Sequence, residues 1–289
     1  MKQTNGERIF AVFNYGFLTL FALAALYPFV YVLSASISSA EAVNTGQVLL
    51  LPHDFTLAAY SEVLREPGIW IAYANTLYYT IAGVAVNLLL TICGAYPLSK
   101  RRLMGGTFIS FFIAFTMWFN AGMIPMFLNF RDLGLLDSRA GILFGFAIAT
   151  FYVFLMRTFF QSIPDALEES AKIDGANDLQ IIWRVYLPLS KAALTTIGLF
   201  YAVLRWNGYF WAMVLLKDES KIPLQVLLKK IVVEMTVNEE AVQLQDVAVF
   251  SKETIIYATI VVSIIPIVAV YPFIQKYFVK GVMVGSIKG

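Results

Sequence analysis

The sequence predicts an all-α integral membrane protein: six transmembrane helices, with a charged segment between the fourth and the fifth. Three observations predict it. Hydrophobic residues make up 59% of the 289 and charged residues only 14%, against about 25% in a soluble domain. So little charge cannot cover a water-facing surface, and the apolar excess must face lipid. The apolar residues also gather into runs of roughly the 20 residues that cross a hydrocarbon core. Those runs are too long and too evenly apolar for barrel strands, and only helices and closed barrels satisfy every backbone N–H and C=O in lipid.

The first span is Ile9 to Leu33, preceded by Lys2 and Arg8. Ala40 and Ala42 after it are spaced like a cleavage site, but the apolar stretch exceeds the roughly 7–15 residues of a signal-peptide core, so an uncleaved first helix is expected. The others are Ile71 to Leu98, Thr107 to Phe130, Ala140 to Phe160, Lys191 to Leu216 and Thr254 to Phe273. Pro28, Pro125 and Pro266 fall inside spans, and each predicts a local kink because it lacks an N–H. Lys100, Arg101 and Arg102 in the short "SKRRLMGG" loop set the orientation by the positive-inside rule: both termini and the 162–190 segment are cytoplasmic.

Several functions are excluded. A net charge of +2 is too small to argue for nucleic acid. The single cysteine, Cys93, cannot form an intramolecular disulfide, and the single histidine, His53, offers no metal site. No Asp or Glu falls inside a span, whereas ion-driven carriers keep a carboxylate at mid-membrane. No nucleophile with its base and no phosphate-binding glycine loop appears. If this chain transports, a partner must supply the energy.

The 162–190 segment is where such a partner would dock. Ser162, with Asp165 three residues on, reads as a capping pair for a short helix. Glu168 and Glu169 follow in its early turns, where the helix dipole favours carboxylates. Asp174 and Gly175 break that helix, and Asn177 or Asp178 can cap a second one. There Leu179, Ile182, Trp183 and Tyr186 are spaced for one apolar face. Pro188 then begins the fifth span. These residues fit equally a docking element or an amphipathic linker lying on the lipid surface.

Glu169-Ser170-Ala171, Asp174-Gly175-Ala176 and Leu187-Pro188 resemble the "EAA…G…LP" loop of permease subunits in binding-protein-dependent ABC importers, with Ser170 departing from the usual second alanine. "NTLYYT" (from Asn75), "AYPLSK" (from Ala95) and "YFVKGVMVGSIKG" (from Tyr277) resemble the maltose-permease-like carbohydrate branch. "FYAVLRWNGYFWAMVLL" and "IPLQVLLKKI" are similar to permeases for complex oligosaccharides, such as pectin- or alginate-derived ones.

The resemblance implies one transmembrane domain over 1–289, forming half of a translocation pathway. It has a coupling loop at about 162–190, an outer loop at 217–253 and a cytoplasmic tail at 276–289. It implies ATPase coupling through Glu168, Glu169, Ala171, Asp174, Gly175, Ala176, Leu179 and Trp183, and a tail contact through Lys280, Gly281, Gly285 and Lys288. The implied partners are a second, different permease, a cytoplasmic ATPase dimer and an extracellular or periplasmic solute-binding protein that delivers carbohydrate. ATP and Mg would bind the ATPase, with no cofactor on this chain. The outer loop reads either as a solvated loop or as a reach toward the binding protein. In "RWNGYFW", Arg205, Trp206, Asn207 and Trp211 are candidates for sugar contact, through hydrogen bonds to hydroxyls and ring faces against C–H groups; the aromatics are equally placed to anchor the helix at the lipid interface. Helical spacing puts Asn207 and Trp211 on one face and Tyr209 about 160° away. A channel or scaffold subunit without ATP coupling is the rival reading.

Overall fold

The computed structural model describes residues 4–119, 121–237 and 253–269, and their regular structure is helical throughout. Helix α1 (Asn5–Ser36) begins in a capping box: the Glu7 amide donates to Thr4 Oγ1, and the Thr4 amide donates to Glu7 Oε2 at 2.8 Å. It runs through Pro28 without interruption, and none of its apolar window is buried. Short helices α2 (Ala40–Asn44) and α3 (Ala58–Arg65) follow. Helix α4 (Pro67–Ser99) opens on a proline whose fixed φ suits a first helical position. Among the described residues, α1 and α4 are the two single helices long and apolar enough to cross a membrane.

The next three predicted spans are each interrupted. The third is α5 (Gly106–Phe115) and α6 (Met123–Asp132). Pro125 lies in the first turn of α6, where no helical hydrogen bond is lost. The break falls instead before Gly122, which adopts φ +87°. The fourth is α7 (Arg139–Phe144) and α8 (Thr150–Gln161). After α9 (Asp165–Ile173) and α10 (Asp178–Leu189), the fifth is α11 (Lys191–Asn207) and α12 (Phe210–Leu215), parted at Gly208. The turn into α11 is an 86° bend at Ser190, two residues beyond Pro188. A helix, α13 (Leu224–Val237), lies within the predicted outer loop, and α14 (Glu253–Ala269) forms most of the predicted sixth span. The end of that span, residues 238–252, and the tail with Lys280, Gly281, Gly285 and Lys288 lie outside the described residues.

The described residues fall into two compact units, one within 4–70 and 228–266 and the other within 71–227 and 267–269. In the first, Ala35, Ala42, Val43 and Val48 pack with Tyr31 and Tyr257. The second holds two cores. One gathers Tyr96, Met156, Phe160, Ile181, Tyr186, Ile197 and Tyr201. The other gathers Tyr79, Phe130, Leu143, Ala212, Leu215 and Val226. An aromatic trio, Phe130, Phe146 and Trp211, has ring centroids 5.4–6.2 Å apart. It needs Gly145, where a Cβ would stand 2.2 Å from the Phe130 ring.

Candidate functional site

Helix α9 starts after Pro164 with no side-chain cap, and Ser162 instead closes α8 by donating to the Phe159 carbonyl at 2.7 Å. The expected Ser162–Asp165 capping pair is therefore absent, because α8 continues to Gln161 and claims Ser162 for its own end. The stop of α9 is a Schellman turn: the Gly175 amide donates to the Lys172 carbonyl at 3.0 Å and the Ala176 amide to the Ala171 carbonyl at 2.9 Å. Gly175 sits at φ +81°, with open space where a Cβ would point. Asn177 then caps α10 in a reciprocal capping box with Gln180, both bonds 2.9 Å. The motif residues Ala171, Asp174, Gly175 and Ala176 thus build a helix–turn–helix.

Glu168 and Glu169 part company. Glu169 is exposed, while Glu168 is 6% exposed and enclosed by cations. Lys100 and Lys172 both donate to its carboxylate, Arg102 lies 3.1 Å away, and the Tyr186 hydroxyl donates to it at 2.8 Å. Arg102 also meets Asp178 at 3.4 Å. Burial by itself would raise the Glu168 carboxyl, but the hydrogen bonds from Lys100, Lys172 and Tyr186 reverse this and hold it at about 2. Burial pushes the Lys100 ammonium down although Glu168 pulls it up, since one carboxylate serves three cations. Glu168 therefore faces its own chain, fastening α9 to the end of α4.

Leu179, Ile182, Trp183 and Tyr186 do not share one face. Residues Ile182–Tyr186 form a π turn, whose i→i+5 bonds bring Ile181 and Tyr186 inward together. Both are buried, and Tyr186 packs edge-on to Tyr96 and Phe160 at 5.2 and 5.3 Å. Outside stand Ile173, 86% exposed, Leu179, 69%, and Trp183, 67%. The sequence pattern missed this because its period assumed an unbroken α-helix. Replacing Gly175 by valine forces a β-branched residue into left-handed backbone, at a cost of about 1–2 kcal/mol or more; asparagine tolerates that region and should cost less. If α9 and α10 transmit a partner's motion, Gly175→Val uncouples nucleotide hydrolysis from uptake while Gly175→Asn retains most coupling, both measurable in reconstituted vesicles.

The 205–211 row surrounds a cavity of about 720 Å³. Arg205, Asn207, Tyr209 and Trp211 line it with Tyr79 and Asn87, and no Asp or Glu does. Tyr209 shares the cavity with Asn207 and Trp211, contrary to the helical-wheel expectation, because the helix ends at Asn207 and the chain resumes at Phe210. Trp206 does not line it: it is buried and edge-on to Tyr73 at 6.1 Å. Arg205 is largely spent on its own chain. It donates to the carbonyls of Ile142, Leu143 and Phe146 and to Asn87 Oδ1, the last three at 2.8–3.1 Å. The carbonyls are orphaned where α7 stops, and Arg205 supplies the donors that lipid cannot. Cysteines at 207, 209 and 211 in a Cys93→Ser background are expected to react with a polar thiol reagent, and one at 206 to resist it. Reaction at 206 with protection at 209 would contradict this cavity.

The "NTLYYT" motif has a role that its letters did not disclose. Asn75 donates to the carbonyls of Ser220 and Ile222 at 2.8 and 3.1 Å and accepts from Arg139 at 2.9 Å. Thr76 accepts from the Leu224 amide, and the Tyr79 hydroxyl donates to the Lys221 carbonyl, both at 2.8 Å. Asp137 accepts from the Asp218 and Lys217 amides at 3.1 Å and pairs with Lys221 at 3.1 Å, contacts that hold its carboxyl below the usual range. The start of the predicted outer loop is thereby fastened, whereas a solvated loop would be free.

The chain is 43% identical over 284 residues to the polygalacturonan/rhamnogalacturonan transport system permease protein YtcP of Bacillus subtilis (strain 168), covering 98% of this chain and 99% of that one. It is 37% identical to Protein LplC of the same organism over all of this chain and 98% of the other. A chain in the crystal structure of a bacterial ABC transporter involved in the import of the acidic polysaccharide alginate is 55% identical and superposes with a TM-score of 0.90, over 96% of this chain and 99% of that one. Residues 68–284, which carry both the 162–190 segment and the cavity, match the family described as "Binding-protein-dependent transport system inner membrane component", and to that family this chain belongs.

Proposed function

We propose that this chain is the permease subunit of an ATP-driven importer of acidic oligosaccharides. The observation that carries the reading is that two relatives, 43% and 55% identical over nearly the whole chain, transport polygalacturonan/rhamnogalacturonan and alginate. The cavity supports it: amide and aromatic groups suit sugar hydroxyls and ring faces, and a wall without Asp or Glu does not repel a uronate. Asn207, Tyr209 and Trp211 are the sugar-facing groups, and Arg205 lends positive charge while holding the broken fourth span.

In this reading the chain crosses the membrane six times, three of the spans being broken helices, as one domain over 1–289 with both termini cytoplasmic. Support comes from two sets of contacts. Lys100 and Arg102 pair with Glu168 and Asp178, joining two segments that the positive-inside rule puts on the inner side. Asn75 and Asp137 join Arg139 and residues 217–222, all on the outer side. The exposed Ile173, Leu179 and Trp183 are the apolar side chains on which a cytoplasmic ATPase dimer would seat, with the exposed Glu169 as a charged contact and the 276–289 tail, outside the described residues, as a further one. That dimer holds ATP and Mg. A second permease completes the pathway, and an external solute-binding protein delivers the sugar. ATP-driven closure of the ATPase would move α9 and α10, and the clamp at Glu168 would pass that motion to α4. Affinity purification from native membranes tests the assembly. Stoichiometric recovery of an ATPase and a second permease is expected; recovery of this chain alone would contradict it.

A further inference from the structure

The end of α4, the start of α5 and the end of α8 enclose a second cavity, of about 300 Å³. Lys100, Arg101 and Arg157 line it, and no Asp or Glu does. Lys100 is committed to Glu168. Arg101 is exposed and has no ion-pair partner among the described residues. Arg157 gives Nη1 to Ser110 Oγ at 3.2 Å, but its Nε is buried without a hydrogen-bond partner. A buried guanidinium N–H left unmatched is a donor awaiting an acceptor. Helix α5 also begins at this cavity. Gly105 precedes it at φ +69°, Gly106 and Thr107 line the wall, and no side chain caps the first turn. Two cations and an uncapped helix N-terminus line a concave space with an unmatched N–H beside it, an arrangement that suits an anion with several acceptor oxygens.

The surroundings select the anion's carrier. Phe108, Phe111 and Phe112 continue along α5 from the cavity, and each is more than 60% exposed. Met104 in the preceding loop is exposed as well. A soluble anion has no use for an apolar ramp leading away from its site; a phospholipid does, because its acyl chains must leave the phosphate along hydrocarbon-facing side chains. We propose that this cavity binds the phosphate of an anionic phospholipid, held by Arg101, Arg157 and the Thr107 amide in the first turn of α5, the Gly106 amide being given to the Leu103 carbonyl at 3.1 Å, with acyl chains against Phe108, Phe111 and Phe112. The leaflet, cytoplasmic, rests on the topology proposed above; the binding chemistry does not.

Native mass spectrometry of the purified complex tests this with phosphatidylglycerol, phosphatidylcholine and inorganic phosphate as probes. Phosphatidylglycerol is expected to be retained at least tenfold better than phosphatidylcholine. Arg101→Gln, at an exposed position that should fold normally, is expected to lose severalfold of that preference, and Arg101→Gln/Arg157→Gln about tenfold. The charge-matched pair Arg65→Gln/Arg131→Gln should lose none. Equal retention of both lipids, unchanged preference in Arg101→Gln, or displacement of the lipid by equimolar inorganic phosphate would overturn the proposal. Labelling of Thr107→Cys, in a Cys93→Ser background, by an impermeant reagent from outside intact cells would overturn the topology instead and leave the lipid result standing.

Discussion

Replacing Arg205 with methionine is expected to destabilise the protein more than any other single change in its interior. The substitution preserves much of the side chain's volume but removes every donor to the carbonyls of Ile142, Leu143 and Phe146 and to Asn87. A buried acceptor stripped of its donor costs about 1–3 kcal/mol. Four such groups give a loss on the order of 5 kcal/mol after partial repair, and so a fall in melting temperature on the order of 10 °C. Gly83→Ala supplies an independent check, because its Cβ would lie 2.8 Å from Arg205 Nε and push the guanidinium off its acceptors. It should show a smaller loss in the same direction. Thermal unfolding in detergent measures both, and an unchanged melting temperature for Arg205→Met would show that the end of α7 finds other donors.

Glu168→Leu is the second large effect. It leaves Lys100, Arg102 and Lys172 facing one another with their counter-charge gone. Breaking a buried pair from one side costs roughly 3–5 kcal/mol, enough to release α9 from the end of α4. Adding Lys100→Met should restore part of the loss, because the double variant removes the stranded ammonium; a cycle of the four proteins reads the coupling energy. Limited proteolysis at Lys172 and Arg184 reports the release. The same clamp predicts a pH dependence. The carboxyl is depressed from an ordinary 4.5 to about 2, so its contribution is complete above about 4.5 and disappears as pH falls toward 2. Protease resistance of the segment should thus hold from neutral pH to about 5 and weaken below. Glu169→Lys, at an exposed position, should leave this resistance intact and weaken ATPase attachment only. Equal resistance of Glu168→Leu and the parent would remove the clamp from the mechanism.

Hydropathy made the apolar runs legible, and α1 and α4 occupy theirs closely. It could not show that three runs are broken, because lipid-facing composition is the same on both sides of a break and the carbonyls freed at α7 are satisfied by Arg205, 59 to 63 residues away in sequence. Gly175 was readable as a helix stop, since glycine takes left-handed backbone at no steric cost. Glu168 was not readable as an inward residue: its neighbour Glu169 has the same chemistry, and only the fold decides which of the two meets Lys100. The apolar face of α10 was misread for a local reason, the π turn at Ile182–Tyr186, which changes the period from 3.6. Asn75, Thr76 and Tyr79 were visible as a motif without a role, since their partners lie about 145 residues on.

Uptake by proteoliposomes holding this chain, its partner permease and the ATPase, with the binding protein outside, tests the central claim most directly. Labelled oligogalacturonate or oligoalginate is expected to accumulate only with ATP enclosed, and a neutral oligosaccharide of equal length is expected to stay out. Accumulation that is independent of ATP, or equal for the neutral sugar, would contradict an ATP-driven importer of acidic oligosaccharides.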